Sequence, residues 1–285
     1  MTNNFKKIKM ILLQIDWNPA PEIFKIGSFA VRYYSLMFVF AFMLGLYLMK
    51  KIFINEKIPL EKLDSLFIYM VVAILLGARL GHFLFYDPEF LFRKPLEVFL
   101  PFQFSPTFKF TGFAGLASHG AAIGAIIAMY LYSKKVLKKP ILYILDRIVI
   151  PSALGAMFVR LGNLMNSEII GKPTNIDYGF VFKRLGEDFP RHPAQLYEAI
   201  SYLVVFVILY FVYWKTDKKE KSGYLFGLFF VLLWTVRFFV EFFKEAQVEG
   251  REDWILGLNT GQVLSIPLIL VGLFFMFKKT KWIKN

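Results

Sequence analysis

Cysteine is missing from all 285 residues, which rules out a disulfide, a thiolate metal site or a cysteine nucleophile of the chain's own. Histidine occurs three times at scattered positions, too few to suggest a metal centre, so neither metal nor other cofactor is expected. Acidic residues are scarce, 21 against 34 Lys+Arg. No low-complexity linker, no internal repeat and no nucleic-acid-binding motif stands out, so one domain spanning 1–285 is expected, with no nucleic acid among its partners. The stretch MILLQI after the first lysines is too short an apolar core for a cleavable signal, and no small-residue cleavage site follows.

What fills the sequence is hydrophobic. Apolar residues make up 57% of the chain, above the roughly 45 to 50% of an ordinary globular domain, and 19% are aromatic. The solvent is therefore lipid. Runs of about 20 apolar residues, enough to cross roughly 30 Å of hydrocarbon, occur near 28–49, 65–86, 112–133, 141–163, 196–214, 223–243 and 261–277. None alternates in the manner of a membrane barrel. The expected fold class is all-α, a polytopic bundle of about seven transmembrane helices.

Lysines cluster at 50–62, 134–139, 215–221 and 278–284, in the first, third and fifth connections and the C-terminal tail. By the positive-inside rule those segments face the cytoplasm, with the C-terminus in and the N-terminus out, although Lys6, Lys7 and Lys9 pull mildly the other way. The same charge surplus attracts anionic membrane lipids. The second connection mixes Phe and Leu with Arg93, Lys94 and Lys109, a composition for the membrane interface. The fourth, 166–195, reads as a small external cap in which YGFVF could form a short strand. Gly77 with Gly81, and Gly120 with Gly124, suit close helix packing.

Polar residues inside spans are costly and mark function. Taken with the topology, a rise of about 1.5 Å per residue puts Arg32, Tyr34, Arg79, His119, Arg160, Asn163, Gln195, Glu198, Arg237 and Glu241 in the outer third of the membrane. Each has a plainer explanation: a snorkelling arginine, a histidine bonded to a carbonyl, or a local i,i+4 pair of Arg237 with Glu241. The convergence of six spans on one depth favours a site for a phosphate instead. Asp146 and Arg147, near the other face, suit an ordinary interfacial role as well as any other. Arg160 and Asn163 share a helix face, and the helix is expected to break after Asn163. Gly162 and Gly171 supply flexibility there, so that Asn166, Glu168 and Gly171 fold back over the site.

Eight segments occur in order: RYYSLM (32–37), GARLGHFLFYDP (77–88), SHGAAIG (118–124), DRIVIP (146–151), RLGNLMNSEIIG (160–171), RHPAQLYE (191–198), RFFVEFFKE (237–245) and GQVLSIP (261–267). Through them most of the chain resembles the prolipoprotein diacylglyceryl transferases of bacteria. Val159, Leu164, Ala121, Ser167 and Leu233 depart from the family's usual pattern and leave every charged position in place.

The resemblance implies a multi-pass enzyme of the bacterial cytoplasmic (inner) membrane. Such an enzyme moves the diacylglyceryl group of phosphatidylglycerol to the lipobox cysteine in the signal peptide of a lipoprotein precursor. It implies Arg160 and Arg237 at the phosphate, and Tyr34, Arg79, Asn163, Asn166, Glu168, Gly171 and Glu241 around the headgroup. His119 is expected either to take the thiol proton or only to orient the headgroup. An anion or lipid transporter with an arginine-lined site is the alternative. It should line both halves of the membrane with polar groups, which the sequence does not.

Overall fold

The computed structural model describes residues 14–26, 29–104, 107–110, 115–176, 178–246 and 255–279. The expected start of the third span at Gly112, and the terminal Lys6, Lys7, Lys9, Lys281 and Lys284, lie outside them. In chain order the elements are strands β1 (Ile15–Trp17), β2 (Glu22–Ile26) and β3 (Phe29–Arg32), then helices α1 (Tyr33–Asn55), α2 (Leu60–Tyr86), α3 (Pro88–Arg93) and α4 (Pro95–Phe99). Strands β4 (Phe102–Gln103) and β5 (Lys109–Phe110) precede α5 (Ser118–Tyr132), which runs on as a π-helical turn, Ser133–Leu137. Then come α6 (Ile141–Met165), β6 (Phe180–Phe182), α7 (Ala194–Lys215), α8 (Tyr224–Val240) and α9 (Thr260–Phe277).

Among the described residues six helices are long and apolar enough to cross a membrane, and α8, with 17 residues, is the shorter seventh. Each matches an expected run, and the polytopic helical bundle stands. The first run differs at its start. Residues Phe29–Arg32, assigned to the span, instead form β3, which pairs antiparallel with β2, and the helix begins at Tyr33, whose N–H donates to the Pro21 carbonyl. Phe29 and Val31 are β-favouring residue types, and the hairpin supplies backbone partners that a helix end lacks.

The chain divides into two compact units, one of Met1–Met49 with Asp146–Asn285, the other of Lys50–Leu145. In the second unit, α2 and α5 meet through the small residues singled out above. A Cβ added to Gly81 would sit 2.6 Å from the Gly120 Cα, so the backbones touch where any side chain would part them. The connection after α2 is ordered by Arg79, whose Nε donates to the Val98 carbonyl at 2.9 Å and whose Nη2 donates to the Glu97 carbonyl at 2.6 Å. Phe92, Phe108 and Phe110 of that connection stay exposed.

In the first unit α6 is the most buried of the spans, with half of its apolar window inside the protein. Near its start, Asp146 was expected at an interface. It is fully buried, and its two carboxylate oxygens accept the backbone N–H groups of Gly223 (2.7 Å) and Phe226 (2.9 Å), capping α8. Beyond α6 lies a small cap. Strand β6 pairs parallel with β1, and Phe180, Phe182 and Leu164 form a buried cluster with Trp17, Ile170 and Leu196 packed on it. The Trp17 indole N–H donates to the Leu164 carbonyl at 2.8 Å, tying the cap to the end of α6.

Candidate active site

The end of α6 brings four polar side chains together. The helix runs two residues past the expected break at Asn163, to Met165, before the chain reverses. Ser167 and Ile169 then take left-handed backbone conformations, with φ of 56° and 57°, and the Glu168 N–H donates to the Asn163 carbonyl at 2.9 Å. Left-handed backbone is costly for any L residue and most of all for a β-branched one. Here it turns Glu168 back toward the helix. Its carboxylate accepts from Asn163 Nδ2 at 3.3 Å and Asn166 Nδ2 at 3.1 Å, and its carbonyl accepts from Gln195 Nε2 at 2.6 Å.

Arg160 lies one turn earlier. Its Nε is 2.8 Å from Glu198 Oε2 on α7, its Nη1 donates to Asn163 Oδ1 at 3.3 Å, and Tyr202 accepts a further hydrogen bond from it. The guanidinium is 13% exposed and Glu198 only 1%, so this pair is a desolvated one. Tyr34, in the first turn of α1, hydrogen-bonds Asn163 and lays its ring against Gly162. A Cβ at Gly162 would fall 2.7 Å from the ring's Cδ2. Glycine is therefore present for space, not for the flexibility inferred from sequence.

Gly171 has a framework role of the same kind. Its N–H donates to the His192 carbonyl at 3.1 Å, and an added Cβ would collide with His192 and lie 2.8 Å from the Phe243 carbonyl oxygen. Three backbone stretches, around 171, 192 and 244, close on one another at that residue. Arg191 stitches the same cap through Glu187, Glu245 and the Gly171 carbonyl.

The end of α8 contributes the second cluster. Arg237 is 27% exposed, its Nη2 3.5 Å from Glu241 Oε1 and its guanidinium 5.8 Å from the centre of the Trp234 ring. The Glu241 carbonyl accepts from Asn259 Nδ2 at 3.1 Å, and Gly261 sits against the carboxyl group with no room for a side chain. Asn259 and Gln262 form a reciprocal capping box at the start of α9, which fixes this contact. Lys244 Nζ lies 2.8 Å from the same Glu241 oxygen. Burial pushes the Lys244 ammonium below its ordinary pKa, while Glu198 and Glu241 hold it up and Arg237 adds to the lowering.

Of the residues singled out in the sequence, Tyr34, Arg160, Asn163, Asn166, Glu168, Gly171, Arg237 and Glu241 all belong to the first unit. Arg79 and His119 belong to the second. Arg79 is held by the carbonyls described above. His119 is exposed in the first turn of α5 and lines a recess of about 360 Å³ with His82, Tyr86, Leu116, Ala117 and Ser118. Sequence reasoning passed over Tyr202, Lys244 and Asn259, and left Glu198 and Gln195 without a role. The Asn259-to-Gln262 spacing was a readable capping signal, and the spacing of Glu241 and Lys244 an i,i+3 pair.

Two guanidiniums, each beside a carboxylate and partly open, with amides and a phenol around them, can pair with an anionic group. The profile of the prolipoprotein diacylglyceryl transferase family matches residues 21–278. A phosphatidylglycerol–prolipoprotein diacylglyceryl transferase of Bacteroides fragilis is 44% identical over 269 residues, covering 94% of this chain and 96% of the relative. Enzymes of the same name from Chloroherpeton thalassium (40% over 267 residues) and Porphyromonas gingivalis (38% over 283 residues) cover 94% of this chain and 95% of their own length. The chain belongs to the prolipoprotein diacylglyceryl transferase family.

Proposed function

We propose that the cluster at the ends of α6 and α8 is the catalytic site of a phosphatidylglycerol–prolipoprotein diacylglyceryl transferase, the first step of lipoprotein maturation. Arg160 and Arg237 bind the lipid phosphate. Tyr34, Asn163, Asn166 and Glu168 position the glycerol headgroup and hold the arginines, and Glu241 sets Arg237. Gly171 keeps the cap closed on the end of α6, and Arg79 orders the connection that follows α2. The protein acts in the bacterial inner membrane with its N-terminus outside. Its second substrate is the signal peptide of a lipoprotein precursor, whose lipobox cysteine supplies the thiol that this chain lacks.

The chemistry is a displacement. The cysteine sulfur attacks the glycerol carbon that bears the phosphate, a C–S bond forms, the C–O bond breaks, and its electron pair leaves with the phosphate as glycerol phosphate. A phosphodiester monoanion becomes a phosphomonoester with more negative charge. Cations fixed at that phosphate therefore stabilise the transition state more than the bound lipid, and each such contact supplies about 10² to 10³ in rate. The thiol has an ordinary pKa of about 8.5, and only its thiolate attacks. His119 either accepts that proton or only orients the headgroup.

The observation that carries this reading is the pair of partly open guanidiniums, Arg160 and Arg237, each set by a carboxylate on a helix of the same unit. The test is direct. Purified protein, phosphatidylglycerol and a lipobox peptide should yield a peptide whose mass has grown by one diacylglyceryl group on cysteine, with glycerol phosphate released. Lipid bound or moved without an adduct would overturn the assignment. His119→Gln should lower the rate about 10²-fold or more, and near-normal turnover would remove the base role.

A further inference from the structure

Lys244 is a lysine with almost no access to solvent, 2% exposed, in the turn that follows α8. A buried ammonium must meet charge or hydrogen-bond acceptors. Its Nζ takes Glu241 Oε1 at 2.8 Å, the same oxygen that Arg237 Nη2 approaches only to 3.5 Å, and it also feels the charge of Glu198, the carboxylate beside Arg160. Each site arginine is thus paired with a carboxylate, and Lys244 interacts with both carboxylates. The backbone around it is fixed: the Lys172 N–H donates to the Phe243 carbonyl at 2.8 Å and the Glu245 N–H to the Ile170 carbonyl at 3.1 Å.

A guanidinium locked in an i,i+4 ion pair has fewer donors and less net field for an incoming phosphate. An ammonium closer to the shared oxygen competes for it. Arg237 and Lys244 are two cations on the single carboxylate of Glu241, so one positive charge there is left for the phosphodiester monoanion. Glu168, held by Asn163 and Asn166, is joined to Arg160 through Asn163.

We propose that Lys244 is a positioning residue of the reaction: by holding Glu241, and through the field it shares with Glu198, it keeps Arg237 and Arg160 available to the phosphate as its charge grows. It acts through the carboxylates and does not touch substrate. The inference rests on the assignment of the two arginines to the phosphate.

The experiment is a double-mutant cycle on purified full-length protein in phosphatidylglycerol mixed micelles with a lipobox peptide. Lys244→Met should lower kcat/KM about 100-fold, the size of effect that removing one partner of a buried ion pair produces. The loss should fall on kcat and on KM for the lipid, with KM for the peptide unchanged. In the Glu241→Gln background, where the carboxylate is already neutral, the same substitution should cost less than about tenfold. That arm keeps the test valid if Lys244→Met alone fails to fold, because the double variant leaves no unpaired carboxylate at 241. Equal losses in both backgrounds, or a folded Lys244→Met at wild-type rate, would overturn the inference. Arg237→Ala separates the two levels. If it stays active, the phosphate assignment itself fails; if it is inactive while Lys244→Met is active, only the role of Lys244 falls.

Discussion

Gly162→Ala tests the site by adding one methyl group to a helix that otherwise favours alanine. The new Cβ would lie 2.7 Å from Tyr34 Cδ2 and 3.2 Å from Cε2, where carbon atoms prefer about 3.5 to 4.0 Å. The ring must retreat by about 1 Å, and its hydroxyl is bonded to Asn163, the amide that also accepts from Arg160 and donates to Glu168. Overpacking of this size costs about 1 to 3 kcal/mol, and loss of the hydrogen bond about 1 kcal/mol more. Set against that is a gain of about 1 kcal/mol in helix propensity. Stability should therefore fall by roughly 1 to 3 kcal/mol, whereas misplacement of a positioning group by about 1 Å is worth about 10² in rate.

Gly155→Ala is the control on the same helix, because its Cβ would meet nothing closer than Ala41 Cβ at 3.9 Å. Thermal unfolding in detergent and kcat/KM for diacylglyceryl transfer read both effects. Gly155→Ala should match or exceed wild type in both. Gly162→Ala should lose about 10²-fold in kcat/KM, and Tyr34→Phe, which keeps the ring and removes the hydroxyl, should fall between them. A Gly162→Ala protein as active as Gly155→Ala would refute the link from Tyr34 through Asn163 to Arg160.

Two further substitutions probe the frame around the site. Ser167→Gly relieves a left-handed serine whose buried hydroxyl has no hydrogen-bond partner among the described residues, and should raise the unfolding midpoint by the equivalent of about 1 kcal/mol with activity retained. A drop in stability would mean that the serine contributes something its geometry does not show. Asp146→Ala removes the cap from Gly223 and Phe226 and should cost about 1 to 3 kcal/mol in thermal unfolding, with KM for the lipid unchanged. A large change in lipid KM with normal stability would place Asp146 in substrate binding instead.

The helices were legible because lipid imposes a length and a composition on each span, and those survive in one dimension. The start of α1 shows the limit. Its apolar run alone suggests a start near 28, but the backbone of Phe29 to Arg32 pairs with β2, and pairing depends on a partner that hydropathy does not record. Asp146 shows a second limit: a charge near a helix end reads as interfacial unless the helix it caps, some 80 residues away, is already in place.

For the site, the amino-acid sequence by itself determined which residue types carry charge into the spans, and along which spans: Arg160, Arg237, Glu241 and the amides are costly there, and their common depth singles them out as candidates. It also carried the family resemblance that names the reaction. Only tertiary structure decided the pairing. Glu198 became the partner of Arg160 across two helices, Lys244 became the second ligand of Glu241, and Gly162 and Gly171 became spaces for a ring and two carbonyls. The physical reason is that the cost of burying a charge belongs to a residue and is written in its identity, whereas the compensation belongs to a distance between residues that only folding sets.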